Sequence, residues 1–168
     1  LEVINSGSCF ELPKATLAKI KEIIKEKKIE KLFLESHWAY KNRIQEMRDY
    51  FEIPITFKIG VETFDYDFRN GYLNKNAKFK TVEELKEYFD SPCIMVGIKG
   101  QTREMIDRDM DIVLNNFDHA TINVFVNNTS SVKRDEELVN WFSNKYKHLV
   151  DNPKIEILFN NTDFGVGD

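Results

Sequence analysis

The chain has few cysteines, and the two that it has, Cys9 and Cys93, lie far apart in different sequence contexts. This arrangement excludes a disulfide framework and a cysteine-based zinc site. No apolar run approaches the roughly 20 residues that a membrane-spanning helix needs, and the start of the chain has no signal-peptide pattern. We therefore expect a cytoplasmic protein with no membrane partner. Because Leu1 opens directly on a strand-like run, we also expect the chain to be part of a longer protein.

Glycine and proline are scarce, with 7 and 4 residues, while 42% of the residues are hydrophobic and 31% are charged. This composition argues against disorder and low complexity. A length of 168 residues suits a single domain, residues 1–168, with a real core. The net charge of −4 argues against a nucleic-acid partner. The sequence also lacks a Ser-His-Asp signature, a dinucleotide-binding GxGxxG motif and a metal-binding histidine spacing.

Strand-like and helix-like segments alternate along the whole chain. Strands are predicted at residues 1–5, 31–35, 55–61, 93–98, 121–126 and 155–159. Helices are predicted at residues 12–27, 40–51, 68–74, 81–89, 103–116 and 135–150, and Thr81 with Glu84 has the capping-box spacing. This alternation predicts an α/β fold with a mostly parallel sheet, either a doubly wound open sheet or a full or partial (β/α) barrel.

Polar residues follow five of the six predicted strands. These residues are Ser6 and Ser8, Glu35 and His37, Glu62 and Thr63, Asn127 to Thr129, and Asn160, Asn161 and Asp163. A doubly wound sheet concentrates its ligand groups at one switch point, whereas a barrel collects them from many strand ends. The pattern therefore favours a barrel with a ligand site at the carboxyl ends of its strands.

Glu62 is the strongest single candidate in this ring of polar residues. At a strand end it could bind a ribose diol or an amine, although it could instead cap the next helix or pair with a lysine. Glu35 and His37 could supply substrate hydrogen bonds or acid–base groups, and Gly7 allows a ligand to approach the backbone closely. Cys9 is expected to be a small semi-buried residue rather than a nucleophile.

Three segments in this order resemble elements of the elongator-like group of the radical SAM superfamily. The first is Ser6-Gly7-Ser8-Cys9-Phe10-Glu11, in the place of the motif that holds the amino group of S-adenosylmethionine. The second is Ile59-Gly60-Val61-Glu62-Thr63 followed by Leu73-Asn74-Lys75, and the third is residues 96–102. With Glu35-Ser36-His37-Trp38 and residues 161–165, the combination is most similar to the queuine lyase subgroup.

The resemblance implies a partial (β/α) barrel of six strands with S-adenosylmethionine across the strand ends. The implied cofactor-binding residues are Ser6, Gly7, Ser8, Glu62, Thr63, Ile98 and Val124. It also implies a 7-deazaguanine-type substrate, queuine, which is cleaved to the 7-aminomethyl-7-deazaguanine precursor. The implied substrate-binding residues are Glu35, His37, Asp65, Arg69, Asn127, Asn161 and Asp163.

Radical SAM proteins hold a [4Fe–4S] cluster on a CxxxCxxC loop, which this chain does not contain. The resemblance therefore implies that the loop lies before Leu1 and that the enzyme needs a reductant. Within the resemblance, an alternative is a radical SAM-like enzyme that acts on another small nucleoside-like substrate. Two other functions are compatible with the residues themselves. One is a nucleotide-binding domain without a cluster, and the other is a cofactor-independent hydrolase or lyase that uses Glu35 and His37 as acid–base groups.

Overall fold

Six parallel strands form one sheet in a computed structural model that describes residues 1–5 and 7–160. The strands are β1 (Glu2–Val3), β2 (Leu32–Glu35), β3 (Ile55–Glu62), β4 (Ser91–Val96), β5 (Ala120–Val124) and β6 (Ile155–Leu158). Their spatial order is the order in sequence, and every neighbouring pair is parallel. A doubly wound sheet would reverse its strand order at a switch point, so that alternative is wrong.

The sheet is curled into a partial barrel, as the resemblance implied. In a flat sheet β3 would lie roughly 10 Å from β1 and roughly 14 Å from β6, given strand spacings near 4.8 Å. Nevertheless, the Lys58 Nζ on β3 is 2.6 Å from Glu2 Oε1 on β1 and 3.4 Å from Glu156 Oε2 on β6. One lysine can contact both edge strands only because the sheet bends around it.

The helices follow the predicted order, with different boundaries in several places. They are α1 (Lys14–Lys27), α2 (Ile44–Phe51), α3 (Val82–Lys86), α4 (Arg103–Asn116) and α5 (Glu136–Tyr146). Shorter 3₁₀ turns cover Cys9–Glu11, Trp38–Arg43 and Lys147–Leu149, and Phe68–Tyr72 is π-helical. In the described part of the chain, no helix is long and apolar enough to cross a membrane.

Local side-chain bonds explain where several helices begin. Pro13 is the N-cap of α1, so the predicted start at residue 12 is two residues early. Thr81 caps α3 by accepting from the Glu84 N–H at 3.2 Å, as the capping-box spacing predicts. The carboxylate of Glu84 accepts from the Lys80 N–H rather than from the cap residue itself.

The core lies between the outer face of the sheet and the helices. Strand residues such as Leu34, Ile59 and Ile122 are fully buried there, and they belong to one apolar cluster with Ile106 and Phe142 of the helices. The alternate residues of the same strands point to the inner face of the curled sheet. This inner face is largely polar, and it forms the wall of the cavity described next.

Candidate functional site

A cavity of about 770 Å³ occupies the inner face of the sheet. All six strands contribute residues to it, usually at every second position, because successive side chains of a strand point to opposite faces. The lining residues are Glu2, Val3, Ile4, Asn5, Gly7, Ser8, Glu11, Glu35, Ser36, His37, Lys58, Gly60, Glu62, Lys75, Cys93, Met95, Thr121, Asn123 and Leu158. The volume is within the range of small-molecule sites.

An ion-paired cluster centred on Lys58 forms one side of the cavity. Its ammonium group contacts Glu2 and Glu156, and the Thr121 hydroxyl donates to the same Glu156 oxygen at 2.9 Å. The Lys58 side chain is only 9% exposed, and burial alone would lower the pKa of its ammonium group. Cys93 and the carboxylates of Glu2 and Glu156 outweigh this effect and raise the pKa. The cluster therefore holds the two edge strands together through one charged side chain.

A second ion pair joins Glu62, at the end of β3, to Lys75. The Lys75 Nζ lies 2.5 Å from Glu62 Oε1. Gly60 makes room for this pair, since a Cβ there would lie 2.6 Å from the ammonium nitrogen. Glu62 has a left-handed backbone with φ +64°, and the register of β3 on β4 shifts between Gly60 and Glu62. A non-glycine residue in this conformation is strained, and such strain is typical of binding sites.

Glu35, at the end of β2, also lines the cavity, but its carboxylate makes no hydrogen bond or salt bridge within the described part of the chain. Burial is the largest effect on its carboxyl group and raises the pKa above the usual value. The charges of Lys75 and Lys58 oppose this shift, while those of Glu62 and Glu2 add to it. Glu35 is thus a partly desolvated carboxylate with no counter-charge in contact.

The loops after β1 and β2 are joined by a chain of hydroxyl groups. Ser8 Oγ lies 3.0 Å from Ser36 Oγ, and Ser36 donates to the carbonyl of His37. Ser8 also accepts from the Phe10 N–H, and Glu11 accepts from the Ser8 N–H, so the two residues form a capping box. The fixed loop presents Gly7 and Ser8 to the cavity.

Both ring nitrogens of His37 are already bonded. Its Nδ1 accepts from the Ala39 N–H at 3.2 Å, which leaves Nε2 to donate to the Lys75 carbonyl at 3.0 Å. These bonds fix the ring and tie the loop after β2 to the segment that carries Lys75. They disfavour the acid–base role that the cofactor-independent hydrolase hypothesis requires.

The structure brings five of the predicted site residues to the cavity, namely Gly7, Ser8, Glu35, His37 and Glu62. Three others, Thr63, Ile98 and Val124, are buried at strand ends and do not line it. Asp65, Arg69 and Asn127 also lie outside the lining. Ser6, Asn161 and Asp163 are outside the described residues.

The side chains of Asp65, Arg69 and Asn127 bond to neighbouring parts of the chain. The Arg69 guanidinium group is buried and donates to the carbonyls of Thr63, Ala77 and Phe79. The Asp65 carboxylate accepts from the Phe68 N–H and from Arg108, and the Asn127 amide oxygen accepts from the Arg134 N–H. Sequence position alone could not separate these roles from ligand binding.

Several lining residues escaped the sequence prediction, above all Asn5, Lys58, Lys75, Cys93 and Asn123. A signal for two of them was present, since polar or small residues alternate with apolar ones in β3 and β5. A parallel strand that is covered by apolar packing on both faces would be continuously apolar. The alternation therefore marks Lys58 and Asn123 as facing a polar interior.

The donors and acceptors of the cavity fit S-adenosylmethionine, which the resemblance implies. Carboxylates can accept hydrogen bonds from its ammonium and ribose hydroxyl groups. In addition, the buried Oδ1 atoms of Asn5 and Asn123 have no hydrogen-bond partner among the described residues. An unpaired buried amide oxygen costs free energy, so ligand donors are expected near these two residues.

A [4Fe–4S] cluster does not fit the residues of this chain. The sequence contains only two cysteines, and burial raises the pKa of Cys9 to about 11 and of Cys93 to about 12, so both are thiols at neutral pH. Among the described residues, no group of three histidine, cysteine or acidic side chains could hold a metal ion. The described residues therefore supply the ligand-binding cavity and not the ligands of a cluster.

Comparison with known proteins identifies the family. No protein-family model and no curated protein sequence matches the chain. A solved structure of a queuine lyase from Clostridium spiroforme bound to SAM and queuine matches it with 54% sequence identity and a TM-score of 0.95. The match covers 100% of this chain and 73% of that chain. The chain therefore belongs to the queuine lyase family of radical SAM enzymes.

Proposed function

We propose that the protein is a radical SAM lyase that cleaves queuine to 7-aminomethyl-7-deazaguanine. The observation that carries this proposal is the 54% identity over the whole chain to a queuine lyase solved with SAM and queuine bound. The cavity on the inner face of the sheet supports it, because its size and polar lining suit ligands of this kind.

For the cofactor, we propose that Gly7, Ser8 and Glu62 contact S-adenosylmethionine. Their position in the cavity lining supports this assignment. Thr63, Ile98 and Val124 would then act from behind the lining by fixing the strand ends. Glu62 is already paired with Lys75, so a ligand that takes its carboxylate must share it with the lysine or displace the lysine.

For the substrate, we propose that Glu35, His37 and the amides of Asn5 and Asn123 face queuine. The buried edges of a 7-deazaguanine base and a diol need matched hydrogen-bond partners, and each unpaired group would cost about 1–3 kcal/mol. Asn123 lies between Met95 and Leu158 in the register of the sheet. This places one amide in an otherwise apolar stretch of the cavity wall, where a flat base could pack.

The chemistry that S-adenosylmethionine supplies when bound is hydrogen-atom abstraction from the substrate. The residues of this chain orient the two ligands and exclude water from between them. His37 holds the loop after β2 in place, and its bonded ring nitrogens are not free to move a proton. The reaction also requires an electron donor, which we propose as a further partner.

The test is turnover by the intact protein after iron–sulfur reconstitution and reduction. We expect 5′-deoxyadenosine and 7-aminomethyl-7-deazaguanine to form together and only when queuine is present. Formation of neither product would contradict the proposal. If queuine were cleaved without iron or S-adenosylmethionine, the cofactor-independent lyase hypothesis would replace it.

A further inference from the structure

The cavity carries an excess of negative charge. Four glutamates and two lysines line it, namely Glu2, Glu11, Glu35, Glu62, Lys58 and Lys75. Four carboxylates against two ammonium groups leave a formal charge of −2 on these six side chains. Such a cavity attracts cationic ligands and disfavours anionic ones.

Three of these four carboxylates already have partners. Glu2 is paired with Lys58, and Glu62 is paired with Lys75. The third, Glu11, accepts hydrogen bonds from the backbone of its own loop and from a tyrosine hydroxyl. Within the described residues, Glu35 is the lining carboxylate that is left without a direct partner.

Glu35 also lies deeper in the sheet than Glu62. In the register of the sheet Glu35 is opposite Lys58, which precedes Glu62 by four residues on β3. At roughly 3.3 Å per residue, the two positions differ by roughly 13 Å along the strand. The backbone of Glu35 is therefore offset from that of Glu62 along the sheet, while the charges of Lys75 and Glu62 still act on the Glu35 carboxyl group.

We infer that Glu35 is the counter-ion of the protonated secondary amine that joins the 7-deazaguanine base of queuine to its cyclopentenediol. This inference rests on the proposed function and adds to it the charge state of the substrate and the residue that selects it. A partly desolvated carboxylate with no counter-charge in direct contact is costly, and contact with a cation lowers that cost. The same contact would fix the nitrogen of the bond that is cleaved.

A protonated amine is also present in the cofactor, as its α-ammonium group. The depth of Glu35 favours the substrate amine, because we assign the cofactor to the loop of Gly7 and Ser8 and to Glu62. The experiment must therefore measure the affinities of both ligands for the same variant.

We propose to titrate the intact, cluster-containing protein with queuine and, separately, with S-adenosylmethionine by calorimetry without reductant. Glu35→Gln keeps the shape of the side chain and removes its charge. Because the contact is a charge-assisted hydrogen bond, we expect queuine to bind about tenfold to a hundredfold more weakly to this variant. The affinities of wild type and Glu35→Gln for S-adenosylmethionine should agree within about twofold.

A queuine analogue with an ether oxygen in place of the amine tests the same contact from the ligand side. The wild-type protein should bind the analogue about as weakly as Glu35→Gln binds queuine. The variant itself should bind queuine and the analogue about equally, because either change alone already removes the contact between the carboxylate and the amine. The four affinities form a double-mutant cycle for this contact.

Glu137→Gln is the matched control, since its carboxylate is 85% exposed, pairs with Arg103 on the surface and does not line the cavity. It should leave the affinity for queuine unchanged. Thermal unfolding checks that each variant is folded. If Glu35→Gln fails to fold, Glu35→Asp takes its place in the test, and because it keeps the charge it should retain most of the affinity for queuine.

Equal queuine affinity of wild type and Glu35→Gln would overturn the inference while leaving the proposed function intact. Loss of S-adenosylmethionine affinity instead of queuine affinity would also overturn it, because the amine would then be that of the cofactor. If the wild-type protein itself did not bind queuine, the proposed function would fail first.

Discussion

The ion pair between Lys75 and Glu62 predicts a measurable loss of stability when one partner is removed. The two side chains are 29% and 14% exposed, and their charged atoms are 2.5 Å apart. Breaking a fully buried pair by removing one partner costs about 3–5 kcal/mol. Because this pair faces a cavity that water can enter, we expect Lys75→Met to lower the free energy of unfolding by about 2 kcal/mol at neutral pH.

The assay is urea unfolding followed by tryptophan fluorescence, with Lys75→Met, Glu62→Gln and the double variant compared in one cycle. Glu62→Gln alone leaves the ammonium group of Lys75 without its partner and should also destabilise. The double variant removes both charges, so its loss should be smaller than the sum of the single losses by about 1–2 kcal/mol. Lys154→Met is the control, because its pair with Asp118 is exposed and should contribute within about 0.5 kcal/mol.

Strict additivity of the two single losses would refute this reasoning. It would mean that the contact between Lys75 and Glu62 contributes no coupling energy. A loss in Lys154→Met as large as that in Lys75→Met would also contradict it, because a general effect of charge would then explain both.

Three further predictions concern buried groups near the site. Asp109 is buried and its pKa is raised from 3.8 to about 6, mainly by burial, so its ionised form is unfavourable in the folded state. As the pH rises from about 4 to about 6, the free energy of unfolding of wild type relative to that of Asp109→Asn should therefore decrease by about 3 kcal/mol in total. Urea unfolding at several pH values will measure this difference, and a difference independent of pH would contradict the prediction. Arg69→Lys should cost about 3 kcal/mol or more in the same unfolding assay, because one ammonium group cannot replace three guanidinium bonds to separate carbonyls, and a neutral result would contradict it. Gly60→Ala should displace the ammonium group of Lys75 and weaken S-adenosylmethionine binding about tenfold by calorimetry, whereas unchanged binding would show that the cavity tolerates a methyl group there.

The sequence predicted the architecture well because its main signals are local. The alternation of strands and helices and the polar strand ends led to a parallel barrel, and the observed strand order confirms it. Element boundaries were less accurate where short 3₁₀ or π turns adjoin α-helices, as at Trp38–Arg43 and Phe68–Tyr72. All three kinds of helix have similar periods, so sequence periodicity does not distinguish these turns from α-helix.

The site was predicted in part because strand ends are visible in sequence and long-range contacts are not. Glu62 and Glu35 lie at the ends of apolar strands, and both line the cavity. Lys75 reaches the cavity from an irregular segment, through a contact 13 residues away along the chain. Arg69 has the residue type expected of a ligand-binding group, but it turns inward to bond three carbonyls. Only the folded structure shows which polar side chains line the cavity and which bond elsewhere in the chain.

The most direct test of the account is a crystal structure of the intact protein with S-adenosylmethionine and queuine bound. The account predicts both ligands in the cavity on the inner face of the sheet, with the queuine amine nitrogen within hydrogen-bond distance of the Glu35 carboxylate. It also predicts that S-adenosylmethionine contacts Gly7, Ser8 and Glu62. Queuine bound outside this cavity, or bound within it with its amine directed away from Glu35 and toward solvent, would contradict the account.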